Sequence, residues 1–413
     1  MKILVIGYVW PEPASSAAGY RMLALLETFR RQNWQVTFAS PAEKSIHRAN
    51  LPALGIDEVN IALNCSSFDE YISALQPDLV MFDRFMMEEQ FGWRVERHCP
   101  HAVRLLDTED LSCLRHARHQ ASKASEHVEL DVKPELLFSE HAKREIAAIL
   151  RCDLTLMISK AEIELLERVF KIDPALLFYS PFMQPTISAS QQQDLPPFKL
   201  REHFVVIGNF RHAPNWDAVL WLRQTIWPLI RARLPEAELH IYGAYPPPKA
   251  TQLHNPKQGF LIKGWANDVN QVMQKARINL APLRFGAGLK GKLVDALACG
   301  TPSITTSVGA EGMAEHDSWP QPVEDTAEHF AERAVALYTE PNQWLECQQL
   351  GFELHNRCFN FNTHSEALIQ RLIQLETELD SHRLSNFTGA MLRHHSMKST
   401  QYMAQWIEAK NRK

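Results

Sequence analysis

The stretch that most restricts what this chain can fold into lies at residues 276–307. ARINLAPL at 276–283 is an apolar run of strand length, the glycine-rich PLRFGAGLKGKLVDALACG follows at 282–300, and SITTS at 303–307 resumes strand character. The unit reads as strand, glycine loop, helix, strand. Gly286 and Gly288 let the backbone take positive φ or approach a ligand closely. From about Leu289 the apolar residues Leu289, Leu293, Ala296 and Leu297 recur at helical spacing, and Gly300-Thr301-Pro302 ends the helix. A helix start beside a buried strand offers unpaired N–H groups and about half a positive charge. Lys290 and Lys292 add two point charges, so the segment suits a diphosphate. Asp295, one turn further in, would be repelled by phosphate and is expected to grip neutral hydroxyls such as those of a ribose. For a glycine loop taken alone, an ordinary connection with solvated lysines stays open.

The run Pro282–Gly312 resembles the donor-binding segment of family 4 glycosyltransferases of the GT-B fold, especially a bacterial branch with the pattern PLRxGAGxKxKxxEAxAxGxPVVTTxxGxEG. The acidic position of that pattern is Asp295 here. An earlier Glu found in many relatives falls at Ala287, so the familiar pair of glutamates is half present. HFVVIGNFRHAPNWDAVLWL at 203–222 agrees: a strand, a turn at Gly208-Asn209, and a helix start at Pro214-Asn215 typical of the same branch. Ala218, Leu222, Ile226, Leu229 and Ile230 form its apolar stripe, which makes Trp216, Trp221 and Trp227 packing residues. ELHIYGA at 238–244 is a strand, and FLIKGWANDVNQVMQKA at 260–276 a strand and a short helix. The resemblance implies donor contacts from Gly208, Asn209, Asp268, Val269, Gly286, Gly288, Leu289 and Lys292, with Arg284, Lys290 and Asp295 in catalytic roles. Asp268 reads equally well as a helix cap.

At 413 residues the chain is long for one core, and two domains of about 180 residues are expected. FMQPTISASQQQDLPPFKL at 182–200, rich in Pro, Ser and Gln, marks the seam. The expected layout is an N-terminal Rossmann-like acceptor domain over 1–182, a linker over 183–200, and a donor domain over 201–360. A helical tail over 361–413 packs back on the first domain, as the resemblance implies, and its polar end from 388 is peripheral. The fold class is α/β, with two parallel sheets facing a central cleft.

The first domain opens with KILVIGY at 2–8, a buried strand rather than a signal peptide. Strands at Gln35–Ala39, LVMFD at 79–83, AVRLLD at 102–107 and LTLMIS at 154–159 alternate with helical stretches, the first at Gly19–Gln32. Parallel sheets bind ligands at the carboxyl ends of their strands. Three such ends carry polar residues. The loop WPEPASSAAGYR at 10–21 supplies Ser16, Gly19 and Arg21, the last either solvated or on an anionic ligand. Asp83-Arg84 follows LVMF as a cap or an acceptor contact. At 107–110, Asp107, Glu109 and Asp110 crowd one strand end, which raises at least one pKa. Asp107 or Asp110 is expected to bind sugar hydroxyls, and Asp110 doubles as a cap for a helix from Leu111. Relatives carry a donor-touching histidine here; His116 and His119 lie farther on, in the next helix, so no catalytic histidine is carried over.

The net charge of −5 implies no general nucleic-acid affinity. Seven cysteines without CxxC point to reduced thiols, a cytoplasmic setting and no zinc site, with Cys299 a packing residue. No run of about 18 apolar residues exists to span a membrane, and peripheral contact with a lipid-linked acceptor stays open. The resemblance implies a retaining, metal-independent glycosyltransferase with no cofactor and a nucleotide-diphosphate-sugar co-substrate. A GT-B epimerase or inverting transferase, and a non-catalytic GT-B binding subunit, stay open beside it. Donor sugar, base and acceptor are left undetermined.

Overall fold

The computed structural model describes residues 1–123, 130–314 and 319–411, without the side chains of 395–397. Apolar runs form the strands of two parallel sheets. The first holds β1 (Lys2–Ile6), β2 (Gln35–Ser40), β3 (Asp57–Asn60), β4 (Leu79–Asp83), β5 (Val103–Asp107), β6 (Leu154–Met157) and β7 (Leu177–Tyr179) in the order β3-β2-β1-β4-β5-β6-β7. Ile3 pairs with Leu79 and Ile6 with Phe82, and helices cover both faces, which is why β1, β4 and β5 read as nearly unbroken apolar sequence. The edge strands β3 and β7 escape sequence reading because DEVN is polar and half exposed and LFY is only three residues long.

The second sheet holds β8 (Glu202–Ile207), β9 (Leu239–Tyr242), β10 (Phe260–Gly264), β11 (Ala276–Ala281) and β12 (Ser303–Thr305) in the order β10-β9-β8-β11-β12. Each order reverses once, between β1 and β4 and between β8 and β11. A reversal splays the loops apart and leaves a crevice at the carboxyl ends. The loops after these strands therefore have to line any ligand site.

The structure adds detail to three expectations. The helix Ala213–Trp221 runs through a π turn at Leu222–Ile226 into Trp227–Arg233. Pro228 has no N–H and its ring crowds the preceding turn, so the ladder shifts register there. The shift rotates Leu229 out of the stripe to 37% exposure, while Leu222, Ile226 and Ile230 stay buried. The 183–200 stretch is ordered, with a helix at Ala189–Asp194 closed by a Ser188–Gln191 capping box. The chain's end is not peripheral as far as it is described. Helices Phe361–Thr377, Leu379–Ser385 and Phe387–Asn411 return to the first domain, where Arg383 grips Asp153 and Ala404 packs on Trp93. Ile373, counted in the tail's apolar stripe, is 47% exposed, whereas Leu368, Leu372 and Leu375 are buried.

Candidate active site

A cavity of about 1410 Å³ opens where the carboxyl ends of the two sheets face each other. Sites for drug-sized ligands run to about 1,000 Å³, so there is room for two substrates. Contacts across the cleft hold the walls together. Arg118 clamps Glu311 with both ends of its guanidinium, at 2.6 and 2.7 Å, and reaches the Gly286 carbonyl at 2.9 Å. Glu162 Oε1 accepts from the Leu111 N–H at 2.9 Å and the Gly288 N–H at 2.7 Å. At the mouth, Tyr245 donates to Glu12 and the Trp265 indole to the Ala14 carbonyl.

On the second-domain wall the helix Gly291–Ala298 begins two residues later than its apolar period suggests. Lys290 is the N-cap and offers no side-chain acceptor to the first turn. The start of the helix, at Gly291 and Lys292, thus faces the cavity beside both lysines. Lys290 Nζ donates to the Gly288 and Ala287 carbonyls, and Lys292 Nζ to Asn215 Oδ1 at 2.6 Å. Burial lowers both pKa values, that of Lys292 to about 8 with Lys290 adding to the effect. Glu311, Glu162 and Asp110 offset part of the Lys290 charge, and an incoming dianion would add counter-charge to both lysines. Asp295 lines the same cavity and accepts from Gln184 Nε2 at 3.0 Å, and burial pushes its carboxyl up to about 6.

Gly208, Asn209, Asp268, Val269, Gly286 and Leu289 also line the cavity. The Asp268 side chain caps its helix, accepting from the Gln271 N–H at 3.0 Å. Gly288 is not on the wall; at φ +63°, a Cβ there would stand 2.8 Å from Asp110 Cβ, so glycine permits the domains to touch. Arg284 is absent from the wall as well. Its guanidinium forks onto Asp217 above the Trp221 ring, while Leu283 and Phe285 on either side line the cavity.

The first-domain wall departs further from expectation. Ser16 lines the cavity and caps the helix Ala17–Arg31, accepting from the Gly19 N–H at 3.0 Å. Gly19 faces away, with its missing Cβ 2.5 Å from the Glu12 backbone. Arg21 is neither solvated nor at a ligand. It is fully buried, pairs with Asp107 at 2.9 Å and donates to the Ser180 and Pro181 carbonyls. That pair also removes Asp107 from the cavity, since a fully buried carboxylate needs the guanidinium more than a sugar does. Asp83 neither caps nor reaches the cavity; it accepts from the Tyr8 N–H at 2.9 Å. Asp110 does line the cavity but caps nothing: the next helix starts at Ser112 behind Leu111, and Asp110 is held by Arg115 at 2.7 Å. Arg115 outweighs burial and keeps the Asp110 carboxyl below its usual range.

The crowding at 107–110 falls on Glu109. Among the described residues no hydrogen bond or ion pair holds it, it lines the cavity, and its φ is +64°. Burial, then the charges of Asp107 and Asp83, raise its pKa well above the usual carboxyl range. A non-glycine residue at positive φ costs about 1–3 kcal/mol and concentrates at functional sites. Of the pair Asp83-Arg84, Arg84 lines the cavity, while His212, Arg118, Glu162 and Glu311 escape sequence reading. His212, on the wall, is held neutral by burial, its pKa lowered to about 4. His116 and His119 stack on His141 and Phe285 instead.

Comparison with known proteins fits this architecture. The family model described as glycosyl transferases group 1 matches residues 201–340. No curated protein matches the chain. Among solved structures, Anabaena HepE in complex with UDP-glucose superposes with a TM-score of 0.65 at 12% identity, covering 91% of this chain and 100% of that one. Sucrose-phosphate synthase from Thermosynechococcus elongatus gives 0.63 at 16%, covering 91% and 99%. The pneumococcal O-GlcNAc transferase GtfA in complex with UDP and GlcNAc gives 0.61 at 13%, covering 91% and 99%. The fold is that of the GT-B glycosyltransferases, and within it residues 201–340 carry the sequence pattern of the glycosyl transferases group 1.

Proposed function

We propose that this protein is a retaining, metal-independent glycosyltransferase that takes a sugar from a nucleotide-diphosphate donor. The observation that carries the reading is the pair Lys290, buried, and Lys292, half-buried, at an open helix start with carbonyl and amide partners and, among the described residues, no carboxylate in ion-pair contact with either ammonium. As the glycosidic bond breaks, negative charge grows on the leaving diphosphate. Two ammonium groups and the first-turn amides stabilise it in a closed cleft, each well-placed donor contributing several kcal/mol. Asp295, one turn in, holds the ribose.

The first domain presents Glu109 to the transferred sugar or the acceptor hydroxyl. Its raised pKa favours the protonated form, which donates a hydrogen bond and does not repel the donor. An inverting reaction would instead use Glu109 as a carboxylate base, a role that Glu109→Gln would abolish. The acceptor, a glycan, a lipid-linked glycan or another hydroxyl compound, binds on the first-domain wall that Arg84 and Arg115 line. Localisation is cytoplasmic, and among the described residues no helix is long and apolar enough to cross a membrane.

The test is a thermal-shift panel of UDP, GDP, ADP and dTDP with their sugars, on wild type and Lys290→Ala. UDP comes first because several similar structures hold it. Ligand at about 100 times its Kd adds about 2.7 kcal/mol of stability. Stabilisation by one nucleotide, lost in the variant, is the expected outcome; stabilisation by none would leave the non-catalytic binding subunit as the reading.

A further inference from the structure

At the end of the second sheet away from the cavity, three side chains converge that neither the core nor the reaction uses. His203 on β8, Glu238 just before β9 and His240 on β9 bring two imidazole nitrogens and a carboxylate oxygen within 4.8 Å of one another. Glu238 Oε2 lies 2.7 Å from His240 Nε2 and 3.8 Å from His203 Nδ1, and the two rings stack with centroids 4.2 Å apart. Glu202 adds a carboxylate 3.6 Å from His203 Nε2. Side-chain periodicity places these groups together, since 238 and 240 share one face of β9 and 203 lies on the neighbouring strand.

One further observation distinguishes the cluster from an ordinary surface pairing. His203 has φ +66°, strained for a non-glycine residue within a strand. Two imidazoles and one carboxylate match zinc and other borderline divalent metals rather than magnesium or calcium.

We propose that His203, Glu238 and His240 form a binding site for a divalent transition metal of the zinc class, with water or Glu202 completing the shell. The rings must swing by about an ångström, because tetrahedral donors at about 2.1 Å from a metal stand about 3.4 Å apart. The half-exposed side chains leave room for that. Lys263 is the competing cation, its charge felt by both Glu238 and His240. Gly208 lies five positions beyond His203, about 16 Å along the strand direction, so the metal staples β8 to β9 and takes no part in group transfer.

The experiment is titration of the full chain, freed of metal, with Zn(II) by calorimetry and with Co(II) by visible absorption. Wild type, His240→Ala, Glu238→Gln and Lys263→Ala are compared, each checked for folding by circular dichroism. Expected are one tight equivalent of zinc, a Co(II) band of four- or five-coordinate character, a loss of affinity of at least tenfold in the first two variants, and a gain in Lys263→Ala. Glu238→Gln keeps the test decisive if His240→Ala fails to fold. Wild-type binding no tighter than in Glu238→Gln, or only octahedral Co(II) absorption, would overturn the proposal. Nucleotide binding plays no part in the readout, so the proposal fails or stands independently of the transferase reading.

Discussion

The two walls of the cavity are written into the chain in different ways. The lysine-bearing part of the second-domain wall comes from one run, Gly286 to Asp295, whose loop and helix are consecutive. The first-domain wall is assembled from Ser16, Arg84, Glu109 and Arg115, each on a different loop or helix. Local geometry suffices to aim the lysines; only tertiary packing decides which of several carboxylates on the other side faces a ligand.

The contrast breaks first if the lysine wall is not the seat of binding. Lys290→Ala should lower kcat by about 10²–10³-fold, the usual consequence of removing one charge-stabilising donor, and abolish the nucleotide-dependent Tm shift; an unchanged shift would end the reading. Next in size, Arg118→Ala leaves Glu311 with no guanidinium across the cleft. Breaking a buried pair from one side costs about 3 kcal/mol or more, measurable as a lower urea midpoint at constant slope.

On the other wall, Glu109→Ala should reduce turnover by about tenfold, within the range for a positioned proton donor, whereas Glu109→Gln, which still donates a hydrogen bond, should stay near wild type. Equal losses in both would show that Glu109 acts as an ionised base. Nucleotide affinity should peak between about pH 6 and pH 8. It falls below because Asp295, with a pKa of about 6, gains a proton and stops accepting hydroxyl hydrogen bonds, and falls above because Lys292, at about 8, loses its charge. Bound phosphate raises the Lys292 pKa, so calorimetry in buffers of different ionisation enthalpy at pH 8 should detect proton uptake. Smallest of all, Arg284→Ala should cost under about 1 kcal/mol, as expected of a partly exposed pair, and leave kcat near wild type. A large drop would restore Arg284 to the catalytic set.

The residues divide accordingly in how legible they were. Lys290, Lys292, Asp295 and the strand order around them follow from period and glycine placement. The turn of Arg284 toward Asp217 depends on a residue 67 positions away, and the burial of Arg21 on Asp107 depends on one 86 positions away. No local pattern encodes either. Glu109 was visible as one of a crowded set, yet its selection required knowing that Arg21, the Tyr8 N–H and Arg115 had claimed the others. Glu162 and Arg118 look like ordinary helical charges until Gly288 and Glu311 arrive from the second domain.

The chain passes between the domains twice, and the two passages run side by side. The Gln184 N–H donates to the Phe359 carbonyl at 2.7 Å, and the Phe361 N–H to the Gln184 carbonyl at 2.9 Å. A nick in either passage therefore leaves the halves tethered through the other, at an effective concentration that favours reassociation over separation. Any pivoting must twist this short ribbon, and the side chain of its central residue, Gln184, is the partner of Asp295 at 3.0 Å. The axle of the molecule and the carboxylate proposed to hold the ribose are thereby one hydrogen bond apart.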